Sequence, residues 1–215
     1  ILNNFLIRLK KNGSKFSYRK VRNREKKVYE ANITIFDALK KSDNDPKGEF
    51  YLERFISAHA IMVSFEGIPA LYFNSIFGTS NDEDKFIITG NNRDVNRYKW
   101  NYKNISKKLD DKNSKQSIFY QKISILLSVR RKQKAFHPNA SRHNINLGSK
   151  IFSFKRISIN KEQTIICITN LSSKIQRAHL NKIYHNWNNL IGSKIEIKNK
   201  LLILKPFETV WLSNK

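Results

Sequence analysis

Glu66-Gly67-Ile68-Pro69-Ala70-Leu71-Tyr72-Phe73-Asn74 is the stretch on which the fold turns. Ahead of it, Leu52, Phe55, Ile56, His59, Ala60 and Val63 recur at three- and four-residue spacing. That spacing predicts a helix over 49–65 with one apolar face. Gly67 and Pro69 stop it. The run from Ala70 to Phe73 then predicts a short strand. Its near-continuous apolar character suits a strand buried on both faces, as in a parallel sheet. Helix, tight turn and buried strand in that order are α/β logic.

Working outward, residues 74–99 read as a long loop rich in Gly, Ser, Asn and Asp, a length that in a compact domain points to function or disorder. A second helix is predicted over 117–134, capped by Asn113 or Ser114. Its basic end (Arg130, Arg131, Lys132, Lys134) complements the negative end of the helix dipole, so the cluster reads as structural. Upstream, residues 1–48 read as irregular, with a basic run over 19–27, a short apolar stretch at 33–36 and a turn-rich segment at 42–48. From Phe136 the signals become short strands at 150–157, 164–171, 174–180, 194–198, 201–204 and 207–212. Turn residues separate them, which predicts an antiparallel sheet or sandwich. No internal repeat or low-complexity segment is read.

The chain has 215 residues, 40% of them hydrophobic and 12% aromatic, as expected of a packed globular protein. No apolar run has the length of a membrane span, and no signal-peptide pattern is read at the start. A single cysteine, Cys167, excludes an internal disulfide and reads as a buried thiol in the run 165–168; a reducing, cytoplasmic setting is expected. The formal charge of +24 makes nucleic acid the first partner to consider. The basic residues are spread over every element, however, and no nucleic-acid-binding motif is read. Lys, Asn and Ile share A/T-rich codons, so base bias is a sufficient source of the charge.

Few catalytic constellations are present. No glycine-rich phosphate loop or Gly-x-Ser-x-Gly turn occurs. The five histidines, at 59, 137, 143, 179 and 185, lack metal-site spacing, so no metal is expected. His59 reads as a satisfied core histidine and His137 as a structural hydrogen-bonding group. Asp82-Glu83-Asp84 and Asp110-Asp111 read as solvated loop charges, not an opposed acid and nucleophile. The best local candidate is Gly90-Asn91-Asn92-Arg93-Asp94-Val95-Asn96-Arg97, on the loop after the buried strand. Barrel enzymes carry their chemistry on such loops. Its amides, acid and arginines suit sugar hydroxyls; local Arg–Asp pairs on a surface loop are the alternative.

The stretch 66–74 resembles the Gly-x-Pro-x-x-Tyr-x segment leading into the eighth barrel strand of α-amylase-family enzymes. With Ser75-Ile76-Phe77-Gly78-Thr79-Ser80-Asn81-Asp82 and Asn92-Arg93-Asp94-Val95-Asn96-Arg97, it resembles the sucrose phosphorylase subfamily, which includes glucosylglycerate phosphorylase. Tyr29-Glu30-Ala31-Asn32-Ile33-Thr34-Ile35-Phe36-Asp37-Ala38-Leu39 is similar to the segment before the seventh helix of those enzymes. Phe136-His137-Pro138-Asn139 and Trp187-Asn188-Asn189-Leu190-Ile191-Gly192 are similar to the start and a late turn of their C-terminal β-domain. Glu66 departs from the pattern, where a small or apolar residue is expected.

The resemblance implies an α/β plus all-β chain: the C-terminal end of a (β/α)8 barrel over 1–135, then an antiparallel β-sandwich over 136–215. It implies a retaining phosphorylase that cleaves a glucoside with inorganic phosphate to give α-glucose 1-phosphate, without cofactor. The nucleophilic aspartate, the acid glutamate and a His-Asp pair all fall upstream of Ile1, so no residue here is catalytic. Arg93 matches the arginine that closes the pocket around the glucosyl unit. Tyr29 and Glu30 match the loop bordering the acceptor site, where Tyr-Glu resembles the glucosylglycerate type and Tyr-Gln the sucrose type. The expected partners are a small sugar and phosphate, with no nucleic acid and no membrane; the sequence sets no oligomeric state. A freestanding basic module binding nucleic acid or carbohydrate, or an inactive remnant, are the competing readings.

Overall fold

The computed structural model describes residues 2–21, 25–180, 187–192, 195 and 197–215. His185, part of the basic run (22–24) and most of the strand expected over 194–198 lie outside the described residues. In chain order the helices are α1 (Leu2–Lys11), α2 (Ile35–Lys40), α3 (Tyr51–Ser64), α4 (Phe73–Ile76), α5 (Glu83–Thr89), α6 (Tyr102–Asp110) and α7 (Lys115–Arg131). The strands are β1 (Lys15–Lys20), β2 (Lys26–Asn32), β3 (Ser141–Ile145), β4 (Ile151–Ile157), β5 (Thr164–Asn170), β6 (Gln176–His179), β7 (Asn188–Asn189), β8 (Ile197–Lys198), β9 (Leu201–Leu204) and β10 (Thr209–Ser213). The chain forms two compact units, residues 1–51 with 71–120, and residues 52–70 with 121–215.

In the first unit, β1 and β2 pair as an antiparallel hairpin with a bulge at Ser17/Tyr18. Side chains start its helices: Thr34 accepts from the Asp37 N–H at α2, Asp82 from Lys85 at α5, and Asn101 from Asn104 at α6. Each cap satisfies a backbone donor that has no intrahelical partner. Gly90, at φ 64°, closes α5 in the left-handed conformation that glycine adopts without strain. Phe36, Tyr51 and Phe119 form an edge-to-face trio with centroids 5.7 to 6.3 Å apart. Residues 1–48 are therefore not irregular, and 74–99 is not one long loop. Their helices are short and cap-driven, and they bury too few apolar residues to leave a periodic pattern.

The second unit is built around β5. The five-stranded sheet runs β3-β4-β5-β10-β7 and a three-stranded sheet runs β6-β9-β8, all pairs antiparallel. Side chains alternate across a strand, so β5 has two faces to bury. Ile165 and Cys167 join Phe154 and Trp211 against Ala60, Val63 and Leu126 of α3 and α7. Ile166 and Ile168 join Val210 and Leu212 against Ala178, Leu202 and Leu204 of the smaller sheet. Register places Cys167 directly between Phe154 and Trp211. Desolvation there pushes the Cys167 thiol up to about 12. Between β8 and β9, Asn199 and Lys200 both have positive φ, the geometry of a two-residue hairpin turn.

The expected strand at Ala70–Phe73 is absent. Residues 68–72 carry no regular element, Ile68 is 85% exposed and Tyr72 55% exposed, and Phe73 begins α4. A parallel strand exists only through ladder bonds to neighbours, and among the described residues no segment pairs with this one.

α3 ends as its sequence directs, but the groups that satisfy its last carbonyls come from elsewhere. Arg130 donates to Val63 O (2.6 Å) and Gly67 O (3.2 Å). Arg156, fully buried, donates to Ser64 O (2.7 Å), His137 O (2.8 Å) and Ala140 O (3.2 Å). Two guanidinium groups thus complete the C-terminal end of α3. Arg130 is structural, as the sequence indicates, but it serves the helix before its own.

Candidate functional site

The hairpin and a 3₁₀ turn over Asn92–Asn96 bring the sequence-derived candidates together. Asn91 sets the turn by accepting from the Arg93 N–H (3.1 Å). Asn92 then pins it to the hairpin, its amide donating to Phe16 O (3.0 Å) and Ser17 Oγ (3.3 Å). Glu30 stands opposite Ser17 in the β1–β2 register. The outcome is that Arg93 Nε lies 3.1 Å from both Glu30 carboxylate oxygens.

This hydrogen bond, with the guanidinium charge, holds the Glu30 carboxyl below its ordinary 4.5, and Arg93 is raised by the same contact. Tyr29 adds to the potential felt by Arg93 and is itself 58% exposed. Because Glu30 engages only Nε, both Nη groups of Arg93 make no hydrogen bond among the described residues. Their N–H donors remain for a ligand. All three candidates, Arg93, Tyr29 and Glu30, therefore share one surface of the first unit.

The neighbouring charges are structural. Asp94 pairs with Lys85 (2.9 Å), whose hydrogen bond lowers the Asp94 carboxyl, so the expected alternative of local Arg–Asp pairs gives way to Lys–Asp and Arg–Glu pairs. Asp82 caps α5, Glu83 pairs with Lys15 (2.8 Å), and Asp111 accepts from the Asn113 N–H (3.0 Å). In the second unit Glu66, the residue out of pattern, pairs with Arg142 (2.5 Å). His59 Nδ1 bonds Phe55 O (2.8 Å), but its buried Nε2 has no partner, so this core histidine is only half satisfied. His137 accepts from the Asn139 N–H (3.2 Å) and gives its carbonyl to Arg156. Among the described residues no cluster of His, Cys, Asp or Glu has the makings of a metal site, and no helix is long and apolar enough to cross a membrane. Sequence reading missed Asn92, although an amide beside Arg93 on a capped turn is a readable sign of loop anchoring.

Comparison with known proteins bears on the same residues. No protein-family model matches the chain. The glucosylglycerate phosphorylase of Escherichia coli (strain K12) is 32% identical over 187 residues, covering 86% of this chain and 32% of that protein. The sucrose phosphorylase of Agrobacterium vitis is 28% identical over 127 residues, 59% of this chain and 23% of that one. Sucrose 6F-phosphate phosphorylase from Thermoanaerobacter thermosaccharolyticum superposes with a TM-score of 0.62 at 19% identity, over 79% of this chain and 31% of that one. The chain spans about a third of the length of the curated relatives it matches.

The fold is one found in α-amylase-family enzymes. Within that class the chain is a relative of the sugar phosphorylases, of the branch that holds the glucosylglycerate and sucrose phosphorylases.

Proposed function

We propose that the chain is the C-terminal third of a retaining, cytoplasmic α-glucosyl phosphorylase of the glucosylglycerate type. Residues 1–135 are its last barrel segment and 136–215 its β-sandwich. The two antiparallel sheets with a shared apolar cluster support the sandwich. The segment 70–73 is the eighth barrel strand, which takes its ladder partners from the rest of the barrel.

One observation carries the functional reading. The Tyr29-Glu30 pair and Arg93 come from motifs far apart in sequence, one resembling the acceptor loop and the other the arginine over the glucosyl unit, and they meet at 3.1 Å. In the whole protein an aspartate forms the glucosyl-enzyme, a glutamate protonates the leaving oxygen, and phosphate releases α-glucose 1-phosphate. Those carboxylates lie on the preceding strands. Here Arg93, held by Glu30, offers its Nη donors to the sugar, and Tyr29-Glu30 borders the acceptor. The chain alone gives no turnover.

The test is a chimera in which this chain replaces the matching third of the Escherichia coli glucosylglycerate phosphorylase. Phosphate release from α-glucose 1-phosphate is assayed with glycerate and with fructose as acceptors. Glycerate-dependent release supports the reading. A folded chimera without glucosyl transfer refutes it.

A further inference from the structure

A second polar feature of the first unit lies outside the Glu30–Arg93 pair. Asn74, Asn96, Tyr72, Ser75, Ile33 and Ile35 help line a cavity of about 200 Å³, and none of Tyr29, Glu30 or Arg93 belongs to its wall. Asn74 is 4% exposed. Its Nδ2 donates to Tyr98 O (2.9 Å) and, at longer range, to the Tyr72 hydroxyl (3.4 Å), which fixes which way the amide points. Asn74 Oδ1 is buried without a partner, and so is Asn96 Oδ1.

A buried carbonyl oxygen without a donor costs about 1–3 kcal/mol, and native proteins leave few of them. Two at one cavity define an unmet demand for donors. No charged residue lines the wall, so a bare cation would lose its hydration without an anionic partner. Neutral hydroxyl groups meet the demand. Ile33, Ile35 and Tyr72 supply apolar surface for the C–H face of such a molecule. A single water needs only ~10–15 Å³, whereas drug-sized ligands take roughly 300–1,000 Å³; this cavity falls between.

We infer that the cavity binds a neutral polyol of monosaccharide size, whose hydroxyl groups donate to Asn74 Oδ1 and Asn96 Oδ1. The site stands on its own geometry and does not require phosphorolysis. The ¹⁵N-labelled chain is titrated with D-glucose, and separately with glycerol, KCl and CaCl₂, following the side-chain amide resonances of Asn74 and Asn96. D-Glucose shifts both resonances saturably. Asn96→Leu weakens that binding about tenfold or more, corresponding to at least ~1.4 kcal/mol. Ser75→Leu does the same by filling the cavity; the backbone bonds that Ser75 makes to Tyr72 and Gly78 stay in place. Absence of a glucose response overturns the inference, as does a response to K⁺ or Ca²⁺ instead. Glucose affinity unchanged in folded Ser75→Leu, or glycerol binding as tightly as glucose, overturns it too. A chimera without turnover has no bearing on this titration.

Discussion

Arg93 Nε and the Glu30 carboxylate are 63 residues apart in sequence and 3.1 Å apart in space. The contact is end-on, through Nε alone, so it orients the guanidinium without using its paired Nη donors. In the chimera, Arg93→Ala is expected to lower turnover by about 10²–10³-fold, the usual loss when a preorganised donor to a reacting centre is removed. Arg93→Lys recovers only part, because an ammonium cannot keep Glu30 on one face and the ligand on the other. Steady-state kinetics with saturating phosphate decide it: an unchanged kcat for Arg93→Ala excludes the role.

Glu30 has its own expected effect. A glutamine keeps the size of the side chain and removes the charge that holds Arg93 in place. It also recreates the Tyr-Gln pair of the sucrose type. Glu30→Gln is expected to move the ratio of kcat/KM for glycerate over fructose about tenfold toward fructose. A ratio that stays put separates acceptor choice from this pair.

Arg156 tests the account of how α3 ends. Its guanidinium donates to three carbonyls, of Ser64, His137 and Ala140, inside a region it fills completely. Arg156→Met retains much of the volume and strands all three acceptors. At about 1–3 kcal/mol for each buried group left unpaired, the variant is expected to lose on the order of 3 kcal/mol or more in urea denaturation. A midpoint within error of the parent means that the carbonyls find other donors.

The sequence made the β region readable and much of the helical region unreadable, for a physical reason. The strands 150–157, 164–171 and 201–204 came within a residue or two of those observed because each buries at least one whole face, and burial imposes a period. Helices α5 and α6 bury at most one residue each, so no period was present. Their signals were caps instead: Asp82 with Gly90, and Asn101, with Asp82-Glu83-Asp84 misread as solvated charge. Ala70–Phe73 failed in the opposite way, since its apolar run states what a strand wants to bury, not whether a neighbour is there to pair with it. At the site, the resemblance named Tyr29, Glu30 and Arg93, but their convergence was not legible, because it depends on Asn92 holding the turn to the hairpin.

Gly78 sits at φ 56°, and a Cβ added there would land inside the ring of Phe119, a fully buried member of the aromatic trio. Gly78→Ala therefore combines left-handed strain with overpacking, each costing about 1–3 kcal/mol. Thermal melting is expected to show a marked loss of stability. The double variant Gly78→Ala, Phe119→Leu should recover part of it by opening the space. If Gly78→Ala melts with the parent, the ring is free to move aside.

His59 gives the chain a pH dependence whose sign is fixed. Burial lowers the imidazole below its ordinary 6.5, against the opposing effect of the Phe55 carbonyl. Below 6.5 the unfolded chain binds a proton that the folded chain refuses. Stability therefore falls as pH drops through that value toward the depressed folded pKa, and it is fully present above. His59→Gln removes the difference, so unfolding free energy measured between about pH 7.5 and 5.5 should slope less steeply than in the parent, whatever its absolute level. The comparison rests on the slope because glutamine also changes the packing beside Phe55, 4.3 Å from the ring it replaces. Equal slopes would mean that His59 is protonated in the folded state, with its buried Nε2 finding an acceptor.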